Sequence, residues 1–145
     1  MTSRYLSAIY CDDIRFEVGN KLSFMGVYYG KLYVQQFPVQ LPKLCISVSA
    51  RTSVDLPFKK LIFKILKDDV VLAEAPIDDN VLNTQQTLRN VEVPAGREFN
   101  IEAHAIVTLS PFLIEGPTTL RLRAETESEE IKGPGLEIEL PGAVH

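Results

Sequence analysis

The chain has 145 residues, 46% of them hydrophobic and 23% charged, which is typical of an ordinary globular domain and excludes wholesale disorder. The formal net charge of −4 comes with no basic stripe, so nucleic-acid binding is disfavoured. No apolar run reaches the roughly 18 residues of a membrane-spanning helix, and the opening MTSRYLSAIYC is too short and polar for a signal peptide. We therefore expect one cytoplasmic domain, residues 1–145, with no membrane contact.

The first predicted element is a β-hairpin in the stretch IRFEVGNKLSF, residues 14–24. Ile14, Phe16 and Val18 alternate with charged residues, as is typical of a strand with one buried face. The alternation stops at Gly19-Asn20 and resumes directly afterwards. A Gly-Asn pair supplies the positive-φ positions of a tight two-residue turn, so we expect the chain to reverse there.

The next predicted strand, residues 22–29, is apolar on both faces. One face carries Leu22, Phe24 and Tyr28, and the other carries Met25, Val27 and Tyr29. A strand with apolar residues on both faces is covered twice. We therefore expect a central strand over which a loop of this chain or another chain lies.

Aromatic residues are concentrated in this region, because five of the twelve in the chain lie between residues 24 and 37. Tyrosine is favoured at protein interfaces, since it buries a large ring and keeps a polar tip. The interface candidates are Met25, Tyr28, Tyr29, Tyr33 and Phe37. Two other interpretations stay open. The run is also compatible with an aromatic core strand, and with a platform on which a sugar or another ligand stacks.

Six downstream segments repeat the two-residue alternation and are predicted strands: residues 43–51, 60–67, 70–75, 97–109, 118–126 and 135–140. Their predicted inward residues are Leu44, Ile46, Val48, Ala50, Leu61, Phe63, Ile65, Phe99, Ile101, Ala103, Ala105, Val107, Leu109, Leu120, Leu122, Ala124, Leu136, Ile138 and Leu140. The pattern allows one short helical turn around residues 78–87, and Pro and Gly fall between the runs. This organisation predicts an all-β fold: an antiparallel two-sheet sandwich of about seven to nine strands, immunoglobulin-like or jelly-roll.

Acidic residues supply the remaining candidate site. The pairs Asp12-Asp13, Asp68-Asp69 and Asp78-Asp79 all fall in predicted turns, where Asp is common for local hydrogen bonding. If two such turns met, their oxygens would suit Ca²⁺. The residues assigned to this alternative are Asp12, Asp13, Arg15, Asp78 and Asp79. The acidic segment 125–132 is predicted to be a solvated turn.

Cysteine and histidine residues indicate no reaction centre. Cys11 and Cys45 lie in predicted strands and are interpreted as small buried thiols. His104 alternates with the inward set, so it points outward beside Glu102, with no nucleophile identifiable next to it. The spacing of these residues matches no zinc or catalytic motif. We therefore expect no metal, no cofactor and no catalytic residue.

The N-terminal third carries a sequence of short motifs. CDDIR is followed by NKLS, then by GVY, and then by the dipeptides FP and LP. Over residues 8–48 this pattern resembles that of a family of small bacterial and phage proteins of unknown function, whose members often have Gly where this chain has Asn20. The matching positions are Asp12, Asp13, Ile14, Arg15, Glu17, Lys21, Leu22, Ser23, Gly26, Tyr28, Phe37, Pro38, Leu41 and Pro42. The resemblance implies a β-sandwich and a bacterial or bacteriophage source, and it implies no known activity.

Taken together, these features predict a non-enzymatic module that binds protein, either its own copies or a larger assembly. A virion accessory or capsid-decorating protein is one concrete form, and the protein is then located in the virion. A phage or bacterial protein that binds a host factor is an alternative. A second alternative is a sandwich that uses the acidic turns to bind a small ligand or Ca²⁺, or to catalyse a reaction.

Overall fold

The computed structural model describes residues 4–88 and 100–142 and places them in an all-β, sandwich-like fold. The strands in chain order are β1 (Tyr5–Glu17), β2 (Lys21–Tyr28), β3 (Lys31–Tyr33), β4 (Val39–Leu41), β5 (Leu44–Ser53), β6 (Leu61–Lys67), β7 (Val70–Pro76), β8 (Asn100–Leu109), β9 (Phe112–Ile114), β10 (Thr118–Thr126), β11 (Glu130–Lys132) and β12 (Leu136–Glu139). A short helix, α1 (Asp79–Leu88), follows β7, close to where the sequence allows one. No helix in the described ranges has the length and apolar character needed to cross a bilayer.

Two larger sheets and one small sheet contain these strands. The first sheet has four strands in the order β2-β1-β5-β8, all antiparallel. The second has the order β3-β12-β10-β6-β7, and β11 pairs with β10 beyond the end of β12. β4 and β9 form a separate two-stranded sheet. The four-stranded sheet carries the candidate site described below.

The hydrophobic core contains residues from both larger sheets, as the alternation predicts. Most of the predicted inward residues are buried, and those of β5, β6 and β10 are the most completely enclosed. Ala105 and Leu109 are half-buried, and Leu140 is exposed because β12 ends before it. Phe99 lies outside the described residues.

The strand number and the pairing differ from the predicted sandwich. The described residues contain twelve strands, not seven to nine, because β3, β4, β9 and β11 have only three residues each. Three residues are too few to show a repeat of two, so the sequence pattern misses these strands. The pair β3·β12 is parallel, whereas an antiparallel sandwich was expected.

The first hairpin turns where predicted, with a longer loop. Gly19 and Asn20 both have positive φ, at 92° and 58°. Glu17 pairs with Lys21, so three residues form the turn, and the expected two-residue turn is wrong. The hairpin between β6 and β7 reverses at Asp68-Asp69, as predicted, with Asp68 at a φ of 53°.

Strand β5 is buried on both faces. Leu44, Ile46, Val48 and Ala50 face the core, and the opposite face carries Cys45, Ser47 and Ser49, which are also buried. Cys11 of β1 lies opposite Cys45 in the strand register. Both cysteines are buried and free, which confirms the prediction of small buried thiols, and burial raises the pKa of Cys11.

Candidate functional site

The five predicted interface residues differ in their accessibility. Met25, Tyr29 and Tyr33 are 46%, 93% and 51% exposed. Tyr28 and Phe37 are half-buried and pack against the core. For these two residues the structure agrees with the alternative interpretation, an aromatic core strand. Three of the five are therefore accessible to a partner, and two have a structural role.

Strand β2 is at the edge of its sheet, so the expected central position is wrong, while cover by another chain stays a prediction. Within the described chain it pairs with β1 alone. Leu22, Ser23 and Phe24 are half-buried, while Met25 and Val27 are exposed. The chain then leaves this sheet at Tyr29-Gly30 and enters the second sheet as β3, which carries the exposed Tyr33.

The hairpin of β1 and β2 is distorted where Asp12 faces Gly26. Gly26 has a φ of +69°, a conformation that glycine adopts without the steric cost of a side chain. A Cβ at this position would collide with the Asp12 carboxylate. That carboxylate accepts a hydrogen bond from the Tyr28 hydroxyl, and burial, reinforced by this bond, raises the pKa of Tyr28. We call the part of the hairpin beyond this point, residues 12–25, the arm.

The predicted turn at Asp12-Asp13 is wrong, because both residues lie inside β1. Asp13 Oδ1 lies 2.5 Å from Lys43 Nζ, and Asp13 Oδ2 lies 3.6 Å from Arg15 Nε. The hydrogen bond from Lys43 is the largest of the effects that lower the pKa of Asp13. The two carboxylates therefore have different local partners, Tyr28 for Asp12 and Lys43 for Asp13.

The other two acidic candidates, Asp78 and Asp79, lie at the start of α1. The Asp78 carboxylate accepts a hydrogen bond from Asn80 N–H at 2.7 Å, and its carbonyl accepts one from Val81 N–H at 3.0 Å. This is the arrangement of a residue that caps a helix N-terminus. Across residues 4–88 and 100–142, no three His, Cys, Asp or Glu side chains converge in a way that would hold a metal ion.

A groove runs along the face of the four-stranded sheet that points away from the core. It consists of three adjoining cavities of about 630, 240 and 210 Å³. The two smaller cavities share Ser7 and Ser49, and the two larger ones share His104. We call this feature the outer groove. Its floor is formed by Ser7, Ser47, Ser49, Glu102 and His104.

Aromatic side chains border the outer groove near both ends. Tyr5 lies at one end beside Arg51. At the other end the arm contributes Phe16 and Phe24, which share cavities with residues of β8. The arm thus lies against the outward face of the sheet, and this position helps to explain why the outward side chains of β5 are buried.

Glu102 anchors the polar floor of the groove. It accepts a hydrogen bond from Ser49 Oγ at 2.5 Å and lies 3.3 Å from Arg51 Nη2. The Ser49 bond is the main reason that the pKa of Glu102 is lowered, so its carboxylate is charged at neutral pH. Ser47 is only 5% exposed and lines the cavity of about 240 Å³.

Comparison with known proteins identifies the family of this chain. A family model described as a family of unknown function, DUF6941, matches residues 6–139. The chain belongs to DUF6941. A search of the curated proteins and a search of the solved structures each found no match. The family has no assigned activity to transfer, and the bacterial or phage source and the N-terminal motif pattern remain predictions.

The outer groove of this DUF6941 protein was not predicted from the sequence. The outward position of His104 was predicted, and it is confirmed because this residue is exposed. The available signal was the run of small residues Cys45, Ser47 and Ser49 on the outward side of β5, where a solvated strand usually carries long polar side chains. The sequence alone does not show that Ser47, Phe24 and His104 line one cavity, because this depends on the order of β2, β1, β5 and β8 in the sheet.

Proposed function

We propose that this DUF6941 protein is a non-enzymatic binding module that associates with its own copies through an apolar strip running from β2 to β3. The strip consists of Met25, Val27, Tyr29 and Tyr33. The observation that carries the proposal is the exposure of all four side chains within residues 25–33, a segment that joins the edge strand β2 of the four-stranded sheet to the edge strand β3 of the second sheet.

The composition of the strip supports protein contact. Monomeric soluble proteins rarely leave contiguous apolar patches in water, and such patches usually mark interaction sites. Tyrosine suits this position because its ring is buried in a complex while its hydroxyl stays hydrated. The nearby charge of Lys31 is already paired, since its Nζ lies 2.9 Å from Glu139 and 3.6 Å from Glu137.

The contact is made by side chains and not by continuation of the sheet. A regular edge strand offers its unpaired N–H and C=O groups to another strand. Gly26, with its positive φ, interrupts the regular strand geometry in the middle of β2. The exposed side chains on either side of Gly26 remain available for packing.

The acidic residues support binding over catalysis. Asp12 accepts a hydrogen bond from Tyr28, Asp13 is paired with Lys43, and Asp78 is bonded to its own backbone neighbours. Residues with such complete local partners suit structural roles. The alternatives of an enzyme or a calcium-binding protein at these turns therefore rank lower.

The setting we propose for this association is a larger protein assembly. The resemblance of residues 8–48 to bacterial and phage proteins supports an accessory or decoration role in a virion, with a cytoplasmic location before assembly. Binding to a host factor through the same strip is the alternative form of this proposal.

The test is the concentration dependence of the molar mass, measured by light scattering and sedimentation. We expect the wild-type protein to form a dimer or larger species, and Tyr29→Ala to weaken its association by about tenfold or more, because a buried interface tyrosine often contributes about 2 kcal/mol. The melting temperature should stay unchanged, since Tyr29 is outside the core.

The matched control is Tyr5→Ala, which removes another exposed tyrosine outside the strip. It should leave the association constant unchanged. A wild-type protein that stays monomeric at all accessible concentrations would contradict self-association. So would an equal loss of association in the Tyr5 and Tyr29 variants.

A further inference from the structure

The outer groove has the features of a ligand site that is independent of the apolar strip. We propose that it binds a neutral, hydroxyl-rich chain, namely an oligosaccharide. The groove is lined by residues of β1, β5 and β8 and by Leu22 and Phe24 of β2, whereas none of the four residues of the strip lines any of its three cavities. Three features of the groove suit such a ligand: the hydrogen-bonding groups of its floor, the position of its aromatic rings and its balance of charge.

The floor of the groove presents both donors and acceptors. Glu102 offers carboxylate oxygens and Arg51 offers N–H groups, while serine hydroxyls serve in either role. Ser47 borders the cavity of about 240 Å³, and its hydroxyl can donate a hydrogen bond to, or accept one from, a sugar hydroxyl that enters this cavity.

Exposed aromatic rings stand at both ends of this polar floor. Tyr5 is 65% exposed at one end, and Phe16 is exposed on the arm at the other. The faces of such rings carry negative charge density and attract the slightly positive C–H groups of a pyranose ring. Rings that flank a floor of hydroxyl and carboxylate groups therefore suit a chain with alternating C–H faces and hydroxyl edges.

The charges around the groove favour a neutral ligand. Two cations, Lys21 and Arg51, are matched by two anions, Glu17 and Glu102. Arg51 is already engaged with Glu102, so it is not free to neutralise a phosphate or a carboxylate. A highly charged ligand of either sign would leave part of its charge unpaired.

The position of the groove also distinguishes a sugar from an extended peptide. Peptides that extend a β-sheet obtain affinity from main-chain hydrogen bonds at a sheet edge. The outer groove lies across the face of a sheet, where the backbone groups of β1 and β5 are already paired in the ladder. Side chains must therefore supply its hydrogen bonds, as they do for sugars.

The test uses a glycan array, followed by titration with cellotetraose, chitotetraose and maltotetraose in two-dimensional amide NMR. We expect saturable binding of at least one neutral glycan, with the largest shift changes at the amides of Ser47, Ser49 and His104. Tyr5→Ala should weaken this binding by about tenfold, because it removes one stacking ring. Ser47→Ala should weaken it severalfold without lowering the melting temperature.

Tyr29→Ala is the matched control, since it removes a tyrosine of the apolar strip. It should leave glycan affinity unchanged while it weakens self-association, so the two proposals fail separately. Absence of any neutral glycan binding on the array and in the titrations would overturn the inference. Binding that is insensitive to both Tyr5→Ala and Ser47→Ala would overturn it as well, as would selective binding of an extended peptide in the groove.

Discussion

The two ends of the longest strand, β1, are stabilised in opposite ways. At its start, the Arg4 side chain is fully buried and bonded to Glu127 Oε2 at 2.5 Å and to Thr52 Oγ1 at 3.1 Å. Its guanidinium lies 4.6 Å from the centre of the Phe58 ring. At its far end, the arm leaves Phe16 and Val18 exposed at the tip of the hairpin. The Arg4 charge is thus held in internal contacts at one end, whereas the Phe16 ring is accessible at the other.

This contrast separates structural residues from candidate binding residues. Glu127 also accepts a hydrogen bond from Lys59 N–H at 2.6 Å, so both of its oxygens are occupied. Burial acts to raise the pKa of Glu127, but these hydrogen bonds and the Arg4 charge together lower it. The side chains of Arg4 and Glu127 are thus both engaged in contacts within the chain. The arm, in contrast, carries the Phe16 ring, which no other part of the described chain buries.

Removing the buried cation, Arg4, should lower the stability of the fold more than any other change considered. Arg4→Ala should lower the free energy of unfolding by about 3–5 kcal/mol, because Glu127 then loses its charge partner in a partly buried site. Urea denaturation followed by circular dichroism measures this change. The matched control is Arg15→Ala, which removes the exposed arginine of the arm, 3.6 Å from Asp13.

For Arg15→Ala we expect a loss below about 1 kcal/mol, as is usual for exposed ion pairs. Equal losses in the two arginine variants would show that the two ends of β1 are stabilised alike. A large loss in Arg4→Ala alone would show that they differ, particularly if self-association, corrected for the folded fraction, stayed unchanged.

A substitution at the base of the arm should cause an intermediate loss of stability. Gly26→Ala should cost about 2 kcal/mol, because alanine is strained at positive φ and its Cβ meets the Asp12 carboxylate. Gly116→Ala is the control, since Gly116 has no neighbour within 4 Å of an added Cβ. Adding Asp12→Ala to Gly26→Ala should recover part of the loss, as measured by urea denaturation. Failure to recover any of it would mean that backbone strain alone sets the cost.

The core was predictable from the sequence because its signal is local. In β10, the alternation of Leu120, Leu122 and Ala124 with charged residues identifies the buried face directly. The reversal at Gly19-Asn20 was predictable for the same reason, since the tolerance of positive φ depends on the residue type itself. The length of the turn was not, because the register of the two strands decides it.

The site and the Arg4 network depend on residues that are distant in the chain. Glu127 follows Arg4 by 123 positions, and nothing near the acidic segment 125–132 indicates that one of its glutamates binds a buried arginine. That segment was predicted to be a solvated turn. Residues 127–129 do connect β10 to β11 and Glu127 is exposed, but residues 125–126 and 130–132 belong to these two strands, so the prediction is wrong for them. The apolar pattern of β2 was recognised, but only the strand order shows that β2 is an edge strand with an exposed outer face.

We expect the least change in stability at Glu125, which is two residues from Glu127, the partner of Arg4. Its oxygens lie 2.5 Å from Lys60 Nζ and 2.9 Å from Lys64 Nζ, and the hydrogen bonds from these lysines lower its pKa from 4.5 to about 2. Because the folded-state pKa is depressed, the carboxylate stabilises the fold above about pH 4.5, and this contribution is lost as the pH falls towards 2. Glu125→Gln should therefore flatten the pH dependence of stability in that window.

Urea midpoints measured between pH 2.5 and 7 test this prediction. The control is Glu115→Gln, an exposed glutamate that forms no ion pair among the described residues, and its curve should run parallel to that of the wild type. If Glu125→Gln also runs parallel to the wild type, the lysine pair contributes nothing measurable, as happens for many exposed ion pairs. In that case the Arg4–Glu127 pair would be the one ion pair near the start of β1 that stabilises the fold. The contrast with the arm would then depend on Arg4 alone.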